Sequence, residues 1–402
     1  MIPFSPPRMD NETVEAVKEV LLSGWITTGP KTKLFEKELT AYNGNKNTLC
    51  LNSATAGLEI ILRWFGVKEG DEVILPAYTY CATANVVKHV GAIPVLVDVN
   101  DSDFNMDPSK LEAAITKKTK VIMPVDVGGM PSDFDWIHAI IEKKRNLFWA
   151  NTEEQKMLGR ILVLSDAAHS IGATYNGKRT GSLTDISVFS FHAVKNLTTA
   201  EGGAIALNLP SPFDNEAIYK YLCIKTLHGQ NKDALAKTKL GGWKYDVIEP
   251  GYKCNMMDLQ AAIGLVELKR YESSLIRRRE ISTSYNHYFS NFNWARIPLQ
   301  SDDKRQSCYH LYMLRLNNCS EEQRDAVINE IMLSGVSVNV HFIPLPMLSF
   351  YKNEGYKIED YPITYKNYSC EISLPIYFDL TNEQVNQVCE TVSNAVKKVL
   401  SA

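Results

Sequence analysis

The chain has 402 residues, too many for one ordinary hydrophobic core, which predicts a large α/β domain with a smaller second domain. Its 43 Lys and Arg residues nearly balance its 46 Asp and Glu residues, and no basic block indicates a nucleic-acid partner or binding to an anionic membrane. No apolar run is long enough to cross a bilayer, and residues 1–7 lack the layout of a signal peptide. The eight cysteines are scattered without metal-ligand spacing, so we expect no metal site and a cytoplasmic location.

The first predicted helix covers residues 10–22 and is amphipathic, with Val14 and Val17 on its apolar side. The loop that follows, residues 23–32, superficially resembles a phosphate-binding P-loop. Pro30 stands where such a loop has its lysine, and no apolar strand precedes it. The sequence therefore does not support a nucleotide triphosphatase.

A predicted strand at residues 49–52 leads into a turn of small residues, 53–57, after which a helix begins. Small residues at a helix start leave backbone N–H groups free, and such groups bind phosphate well. An ordinary capped helix has the same composition, so the turn alone leaves both interpretations open.

Short apolar segments then alternate with helical patterns. The strands are predicted at residues 71–76, 93–99 and 121–127, with helices at 82–90 and 108–115. This alternation predicts a parallel sheet with helices on both faces. Tyr80 follows the first of these strands, where an aromatic ring can stack on a flat ligand or simply pack in the core.

Asp166 follows the apolar strand at residues 161–164, at the end of the strand where open α/β sheets bind ligands. A buried carboxylate needs a cationic partner to stay ionised, and the pyridinium nitrogen of pyridoxal phosphate (PLP) is such a partner. The residues alone leave open a second interpretation, in which Asp166 caps the next helix.

Lys195 lies in the segment between two short apolar strands, residues 186–189 and 204–207. Burial disfavours the ammonium form of a lysine, and the free amine can form a Schiff base with a carbonyl cofactor. Ser190 and the pair Thr198-Thr199 offer hydroxyl groups to a phosphate. A surface-turn lysine is the ordinary alternative, but the presence of Asp166 favours the cofactor interpretation.

The remaining sequence predicts a mobile polar loop from Lys232 to Trp243 and a small α+β domain after about residue 280. A helix is predicted at residues 258–269, before that domain. Within the domain, helices are predicted at 321–334 and 382–400, and strands at 311–316 and 336–340. His310 and His341 lie in this region. A lone histidine is more often structural than catalytic, so neither is assigned a catalytic role.

Taken in order, these motifs resemble the DegT-type PLP-dependent sugar aminotransferases, within the fold-type I, aspartate-aminotransferase-like superfamily. The resemblance is carried by Asp166-Ala167-Ala168-His169-Ser170, by the segment from Ser190 to Gly203, and by the segment from Gly251 to Gly264. It implies a three-layer α/β large domain around a mostly parallel sheet (residues 1–275) and a small C-terminal α+β domain (residues 276–402).

Residues 144–160 do not match the spacing of elements in the family, and we interpret them as an insertion at the surface. Its aromatic residues Phe148 and Trp149 predict packing against another surface, for which a second subunit is one candidate.

The resemblance also implies the roles of individual residues around PLP. Lys195 would hold PLP as a Schiff base, and Asp166 would pair with the ring nitrogen. The other implied contacts are Ala54, Thr55 and Ser190 with the phosphate, Tyr80 and His169 with the two faces of the ring, and Asn255 with the phosphate of the partner's PLP in a homodimer with shared active sites. Ala54 stands where the family usually has glycine, and many relatives have arginine in place of Asn255.

The reaction implied is transfer of an amino group from L-glutamate to a keto sugar linked to a nucleotide, in amino-sugar biosynthesis of the cell-surface polysaccharide or antibiotic type. Relatives that deoxygenate sugars carry histidine at the position of Lys195, so the lysine favours transamination over dehydration. Two alternatives stay open: an aminotransferase for a cyclitol or another non-nucleotide keto acceptor, and a non-catalytic regulator that keeps the fold.

Overall fold

The computed structural model of the protein describes residues 1–232 and 243–400. The loop predicted to be mobile, between Lys232 and Trp243, lies outside the described residues. Within the described residues, no helix combines the length and the apolar character that a membrane span requires.

A seven-stranded sheet forms the centre of the first part of the chain. In spatial order its strands are β1 (Asn47–Leu51), β9 (Gly203–Leu207), β8 (Ile186–Ser190), β5 (Leu162–Asp166), β4 (Thr119–Ile122), β2 (Glu72–Pro76) and β3 (Ile93–Val97). From β8 to β3 all neighbours pair in parallel, whereas β9 pairs antiparallel with both β1 and β8. The predicted mostly parallel sheet is confirmed, and β9 is reversed because a loop, rather than a crossover helix, joins it to β8.

Helices cover both faces of this sheet. They are α1 (Asn11–Ser23), α2 (Pro30–Asn43), α3 (Ala54–Trp64), α4 (Cys81–His89), α5 (Pro108–Ala114), α6 (Phe134–Lys143), α7 (Glu153–Leu158), α8 (Asn215–Lys225) and α9 (Asp258–Lys269).

Alternate residues of one strand enter different apolar cores. In β5, Leu162 and Leu164 pack in one core with side chains of α3 and α4, while Val163 packs in another with side chains of α5 and α6. The result is the three-layer arrangement that the sequence predicts.

A second core lies in the C-terminal part of the chain. Its helices and strands include α10 (Tyr271–Phe289), α11 (Glu321–Leu333), α14 (Asn382–Leu400), and the sheet of β10 (Ala295–Arg296), β12 (Tyr312–Leu316) and β13 (Glu371–Leu374). Two shorter helices of this region pack elsewhere: α12 (Ser349–Asn353) through Tyr351 in the core that contains Leu162 and Leu164, and α13 (Pro362–Ser369) through Tyr368 in a cluster with Tyr78 and Val125. A further small sheet joins β6 (Thr174–Tyr175), β7 (Lys178–Arg179) and β11 (Arg305–Gln306). The boundary predicted after residue 275 falls inside α10, and the division of the chain there stays a prediction.

The strand predicted at residues 336–340 is wrong. Val336 and Asn339 each form a single bridge, with Ile2 and Ser373 respectively, and no continuous ladder connects them. The bridge to Ile2 attaches the N-terminal segment to the second core, where Ile2 is buried.

The segment interpreted as an insertion contains α7 and a short 3₁₀ turn at Arg145–Leu147. Phe148 packs against the apolar cores on both faces of the sheet, and the buried Lys120 donates a hydrogen bond to the Trp149 carbonyl. The Trp149 side chain itself is exposed. The segment is therefore anchored to this chain's own core, and contact with a second subunit stays a prediction.

Asp258 connects α9 to the start of α2. Its buried carboxylate accepts hydrogen bonds from the backbone N–H groups of Gly29 at 2.8 Å and Thr32 at 2.9 Å, and from the Thr32 hydroxyl at 2.7 Å. A carboxylate is favoured at a helix N-terminus because its charge opposes the helix dipole and its oxygens accept from unpaired N–H groups.

We expect Asp258→Asn to lower the free energy of unfolding by about 2 kcal/mol, because an amide NH₂ group would face backbone donors in a buried site. Denaturant titration with the change in far-ultraviolet circular dichroism measures this. The matched control is Asp107→Asn at the N-terminus of α5, where asparagine caps a helix as well as aspartate does. Equal stability losses in the two variants would contradict the assignment.

Candidate active site

A cavity of about 340 Å³ lies at the carboxyl ends of the parallel strands. The edge of the sheet contributes Tyr80 after β2, Asp166 at the end of β5 and Ser190 at the end of β8. Ligand sites of open α/β sheets lie at this edge, and their volumes are roughly 300–1,000 Å³. The C-terminal part of the chain and the N-terminal segment also line the cavity, through His341 and Phe4 among others.

The cavity brings together seven of the predicted site residues. They are Ala54, Thr55, Tyr80, Asp166, His169, Ser190 and Lys195. Asn255 does not line it. Its side-chain amide donates to the Thr28 hydroxyl at 2.5 Å, and its backbone bridges Leu51.

Lys195 lies on the loop between β8 and β9, and its backbone N–H donates to the His192 carbonyl at 2.9 Å. Burial lowers the pKa of the Lys195 amine to about 8, although the charge of Asp166 acts in the opposite direction. At pH 7 roughly a tenth of this amine is therefore in the nucleophilic, unprotonated form, far more than for a lysine with the ordinary pKa of 10.5.

The Asp166 carboxylate is buried and held by two hydrogen bonds. The Thr83 hydroxyl donates to Oδ2 at 2.8 Å, and the Ala168 N–H donates to Oδ1 at 3.2 Å. Burial raises the pKa of Asp166, and these hydrogen bonds and the Lys195 charge oppose that rise. Within the described residues Asp166 forms no ion pair, so a cationic ligand atom would stabilise its ionised form.

The turn that begins α3 forms another end of the cavity. Ser53 caps the helix by accepting from the Ala56 N–H at 3.1 Å, and the first N–H groups of the helix, at Ala54 and Thr55, have no acceptor inside it. Gly203 in β9 passes directly behind this turn, since a Cβ at that position would lie 2.4 Å from the Ala54 nitrogen. Such a helix start binds phosphate.

His169 and Tyr80, the residues expected at the two ring faces, both lie against Phe342. The ring centroids are 5.6 Å apart for His169 and 5.8 Å apart for Tyr80. The Gly128 N–H donates to His169 Nδ1 at 3.3 Å, which leaves the proton of the neutral ring on Nε2. Burial keeps the pKa of His169 well below its usual range, so the ring is neutral.

The hydroxyl groups of Thr198 and Thr199 are used by the loop itself. Thr198 donates to the Phe191 carbonyl at 3.2 Å and Thr199 to the Glu201 carbonyl at 2.7 Å. Neither residue lines the cavity, so of the three hydroxyl groups that the segment around Lys195 offers to a phosphate, only that of Ser190 does.

Sequence reasoning missed several residues of the site. Thr83 was available as a polar residue on the buried side of a predicted helix, close in sequence to Tyr80. His310, His341 and Phe342 lie in segments that the sequence marks only as similar to family segments near the substrate mouth, and the structure places them in the cavity lining. Phe4 also reaches the cavity, through long-range packing for which the sequence has no local signal.

These groups fit pyridoxal phosphate. The helix start can take the phosphate, the unpaired carboxylate of Asp166 can take a protonated ring nitrogen, and the Lys195 amine can attach to an aldehyde. Among residues 1–232 and 243–400, no group of three or more His, Cys, Asp or Glu side chains is arranged to hold a metal ion. The fold and the site define a PLP-dependent transferase of fold type I.

The chain belongs to the DegT/DnrJ/EryC1/StrS aminotransferase family, whose model matches residues 7–393. It is therefore a PLP-dependent aminotransferase of the sugar aminotransferase family.

Among curated proteins, it is similar to the spore coat polysaccharide biosynthesis protein SpsC of Bacillus subtilis (strain 168). The two are 37% identical over 404 residues, which cover 98% of this chain and 97% of the relative.

Two proteins of known structure extend the comparison. A putative sugar aminotransferase from Streptococcus pneumoniae, in its PMP form, is 46% identical with a TM-score of 0.96, over 99% of this chain and 100% of that one. The same protein has been solved in a PLP form. Helicobacter pylori PseC, an aminotransferase involved in the biosynthesis of pseudoaminic acid, is 27% identical with a TM-score of 0.85, over 98% of this chain and 99% of that one.

The pKa of Lys195 is testable in the cofactor-free enzyme. Covalent attachment of PLP requires the neutral amine. The rate of attachment should therefore rise with pH, with a midpoint at about 8. The Asp166 charge raises the pKa of Lys195, so Asp166→Asn should move this midpoint to lower pH. Stopped-flow absorbance measures the rate, and Asp303→Asn, at an exposed position, is the control. A midpoint near the ordinary lysine value of 10.5 would disprove the assignment.

Proposed function

We propose that the enzyme transfers an amino group from L-glutamate to a keto sugar linked to a nucleoside diphosphate, in the biosynthesis of an amino sugar for a cell-surface polysaccharide. The observation that carries the proposal is that the Lys195 amine and the Asp166 carboxylate line one cavity, with the start of α3 beside them. The names of SpsC and PseC, which refer to spore coat polysaccharide and to pseudoaminic acid, support the substrate class.

The roles of the polar groups follow from their positions. Bound PLP supplies an electron sink for the negative charge that develops on carbon during transamination. Asp166 would accept a hydrogen bond from the ring nitrogen and favour its protonated form. The Nζ atom of Lys195 would move a proton from Cα of the amino donor to the C4′ carbon of the cofactor, and in the opposite direction when the acceptor is aminated.

The remaining predicted residues bind and orient. The N–H groups of Ala54 and Thr55 and the hydroxyl of Ser190 would hold the phosphate, and Tyr80 and His169 would flank the ring. Ser190 accepts from the His192 N–H at 3.4 Å, which leaves its own hydroxyl hydrogen for a ligand.

The mouth of the cavity suits a sugar. It contains the aromatic rings of Tyr80 and Phe342 together with the polar groups of Ser5, His192 and Glu201. A sugar presents both apolar C–H faces and hydroxyl groups, and a site with apolar walls and a few polar groups orients such a ligand.

The substrate assignment is tested with a panel of acceptors. L-Glutamate first converts the bound PLP of the purified enzyme to its amino form, which bleaches the PLP absorbance. Nucleotide-linked keto sugars, free keto sugars or keto cyclitols are then added in separate reactions. We expect amino product, detected by mass spectrometry, only from a nucleotide-linked acceptor. Amino product from a cyclitol only would show that the acceptor is a cyclitol and not a nucleotide-linked sugar. A PLP absorbance that L-glutamate does not bleach would exclude L-glutamate as the amino donor.

Replacement of the lysine tests the chemical role. Lys195→Ala should retain PLP non-covalently and lose about 10²–10⁴-fold in turnover, the range for a lost general acid–base group, or more. Lys352→Ala, at an exposed position of α12, should keep full turnover. Undiminished turnover of Lys195→Ala would refute the mechanism.

We also propose that the enzyme is a cytoplasmic homodimer whose active sites are shared. Asn255 lies outside its own chain's cavity, and its neighbours Tyr252 and Met257 expose apolar surface. These features support a partner contact at this segment, through which Asn255 would reach the partner's phosphate. The eight cysteines, all within the described residues, are free thiols, as in a reducing cytoplasm.

Complementation between two inactive variants tests the shared site. Asn255→Asp places a carboxylate against a phosphate and should abolish PLP binding, and Lys195→Ala should abolish turnover. A mixed dimer would contain one intact site if Asn255 serves the partner subunit, so mixing after partial denaturation and refolding should restore activity. If Asn255 serves its own subunit, or the protein is a monomer by light scattering, the mixture stays inactive.

A further inference from the structure

The wall that the second core contributes to the cavity contains three connected polar side chains with no role in the proposed chemistry. His341 lines the cavity, and its Nδ1 lies 2.9 Å from Ser373 Oγ. Ser373 Oγ lies 2.5 Å from Glu371 Oε1. Glu371 has no exposed surface, so these three side chains connect the cavity to a fully buried carboxyl group.

The backbone places these groups together. Glu371 and Ser373 are two residues apart in β13 and therefore point to the same face. Asn339 bridges Ser373, and the His341 N–H donates to Glu371 Oε2 at 3.0 Å, so the segment before His341 is held along the strand.

Aromatic rings fix the orientation of His341. Phe4 stacks on it with centroids 5.5 Å apart and planes at 24°, and Phe342 contacts it edge-on with centroids 5.1 Å apart. With Nδ1 occupied by Ser373, Nε2 is the remaining polar atom of the ring. Within the described residues Nε2 makes no hydrogen bond, so it is available to a ligand.

The charge state of Glu371 is set by burial. Arg324 donates to the Glu371 backbone carbonyl at 3.1 Å and Arg315 to the Asn367 side chain at 2.6 Å, and within the described residues neither guanidinium forms an ion pair with the Glu371 carboxylate. Burial raises the pKa of Glu371 to about 8, against the opposing effects of Ser373, the His341 N–H and the two arginines. The carboxyl group is therefore mostly protonated at neutral pH.

His341 is neutral under the same conditions. Burial and the nearby Lys195 charge lower the pKa of His341 to about 3. Of the other groups around it, His169 and His310 have pKa values well below the usual range and Tyr78 has one well above it, all through burial. A neutral imidazole carries one proton, on either Nδ1 or Nε2.

We propose that Glu371 and Ser373 are positioning residues that decide which nitrogen of His341 carries its proton, and hence whether His341 offers a hydrogen-bond donor or acceptor to a substrate oxygen. With Glu371 protonated, its O–H donates to Ser373 Oγ and the Ser373 O–H donates to His341 Nδ1. The proton of His341 is then on Nε2, where it can donate to the substrate. With Glu371 ionised, every bond reverses, and Nε2 accepts.

The change between the two states is a balanced proton transfer. The Glu371 O–H bond breaks and its proton goes to Ser373, the Ser373 proton goes to Nδ1, and the Nε2–H bond breaks as its proton passes to the substrate oxygen. His341 can thus deliver a proton without becoming an imidazolium. This use of the relay rests on the proposed function, in which the oxygen of a keto acceptor must gain protons to leave as water.

The protonation of His341 is measured without substrate, by ¹⁵N NMR of the histidine-labelled full-length holoenzyme, with the His341 signals assigned from the His341→Gln variant. As pH rises from about 6 to about 10, Nδ1 should change from the unprotonated to the protonated type, with a midpoint near about 8. A wild-type signal that does not change over this range would overturn the proposal. Because no acceptor is present, this result is independent of the substrate assay.

Variants separate the relay from other causes. The change in Nδ1 should be lost in Glu371→Gln and in Ser373→Ala. It should persist in Lys195→Ala, which removes the nearby side chain whose charge lowers the pKa of His341, and in Ser393→Ala, which removes a buried hydroxyl of α14 that has no partner among the described residues. Persistence of the change in Glu371→Gln, or its loss in Lys195→Ala, would overturn the relay. In the wild-type enzyme, kcat/KM should change with pH around a midpoint of about 8. In Glu371→Gln this change should be lost, while KM changes less than two-fold.

Discussion

The charge of Asp166 is the constraint on which the rest of the site depends. A carboxylate at the end of a buried strand loses its hydration, and the hydrogen bonds from Thr83 and Ala168 compensate only part of that loss. Under the proposed function, the protonated ring nitrogen of PLP would supply the missing cation. The parallel sheet fixes Asp166 at the cavity, and the reversed strand β9 returns the loop that carries Lys195 to the same place.

Most of the large sheet could be predicted from sequence because its strands are short, apolar and buried on both faces. The strand at residues 161–164 illustrates this, since consecutive Leu and Val residues leave no solvent-facing side. The error at residues 336–340 has the opposite origin. Those residues have strand-like composition, but Val336 and Asn339 pair with different partners, Ile2 and Ser373, which only tertiary structure determines.

The residues of the site also fall into those that the sequence could predict and those that it could not. Lys195, Asp166 and the turn at Ala54 lie in contiguous motifs, and the cavity contains all three. Thr83 and His341 could not be assigned because their importance comes from neighbours distant in sequence, Asp166 in one case and Ser373 in the other. The hydroxyls of Thr198 and Thr199 looked equally suitable for phosphate, but the tight loop uses them for its own carbonyl groups.

The attachment of Ile2 to Val336 has a further consequence. Ile2 is buried in the second core, and Phe4 stacks on His341 in the wall of the cavity. Asp166 and Lys195 lie instead at the end of β5 and on the loop between β8 and β9 of the large sheet. Under the proposed function, a change in the packing around Ile2 would therefore reach the part of the cavity that receives the acceptor, while the residues proposed to hold the cofactor would keep their positions.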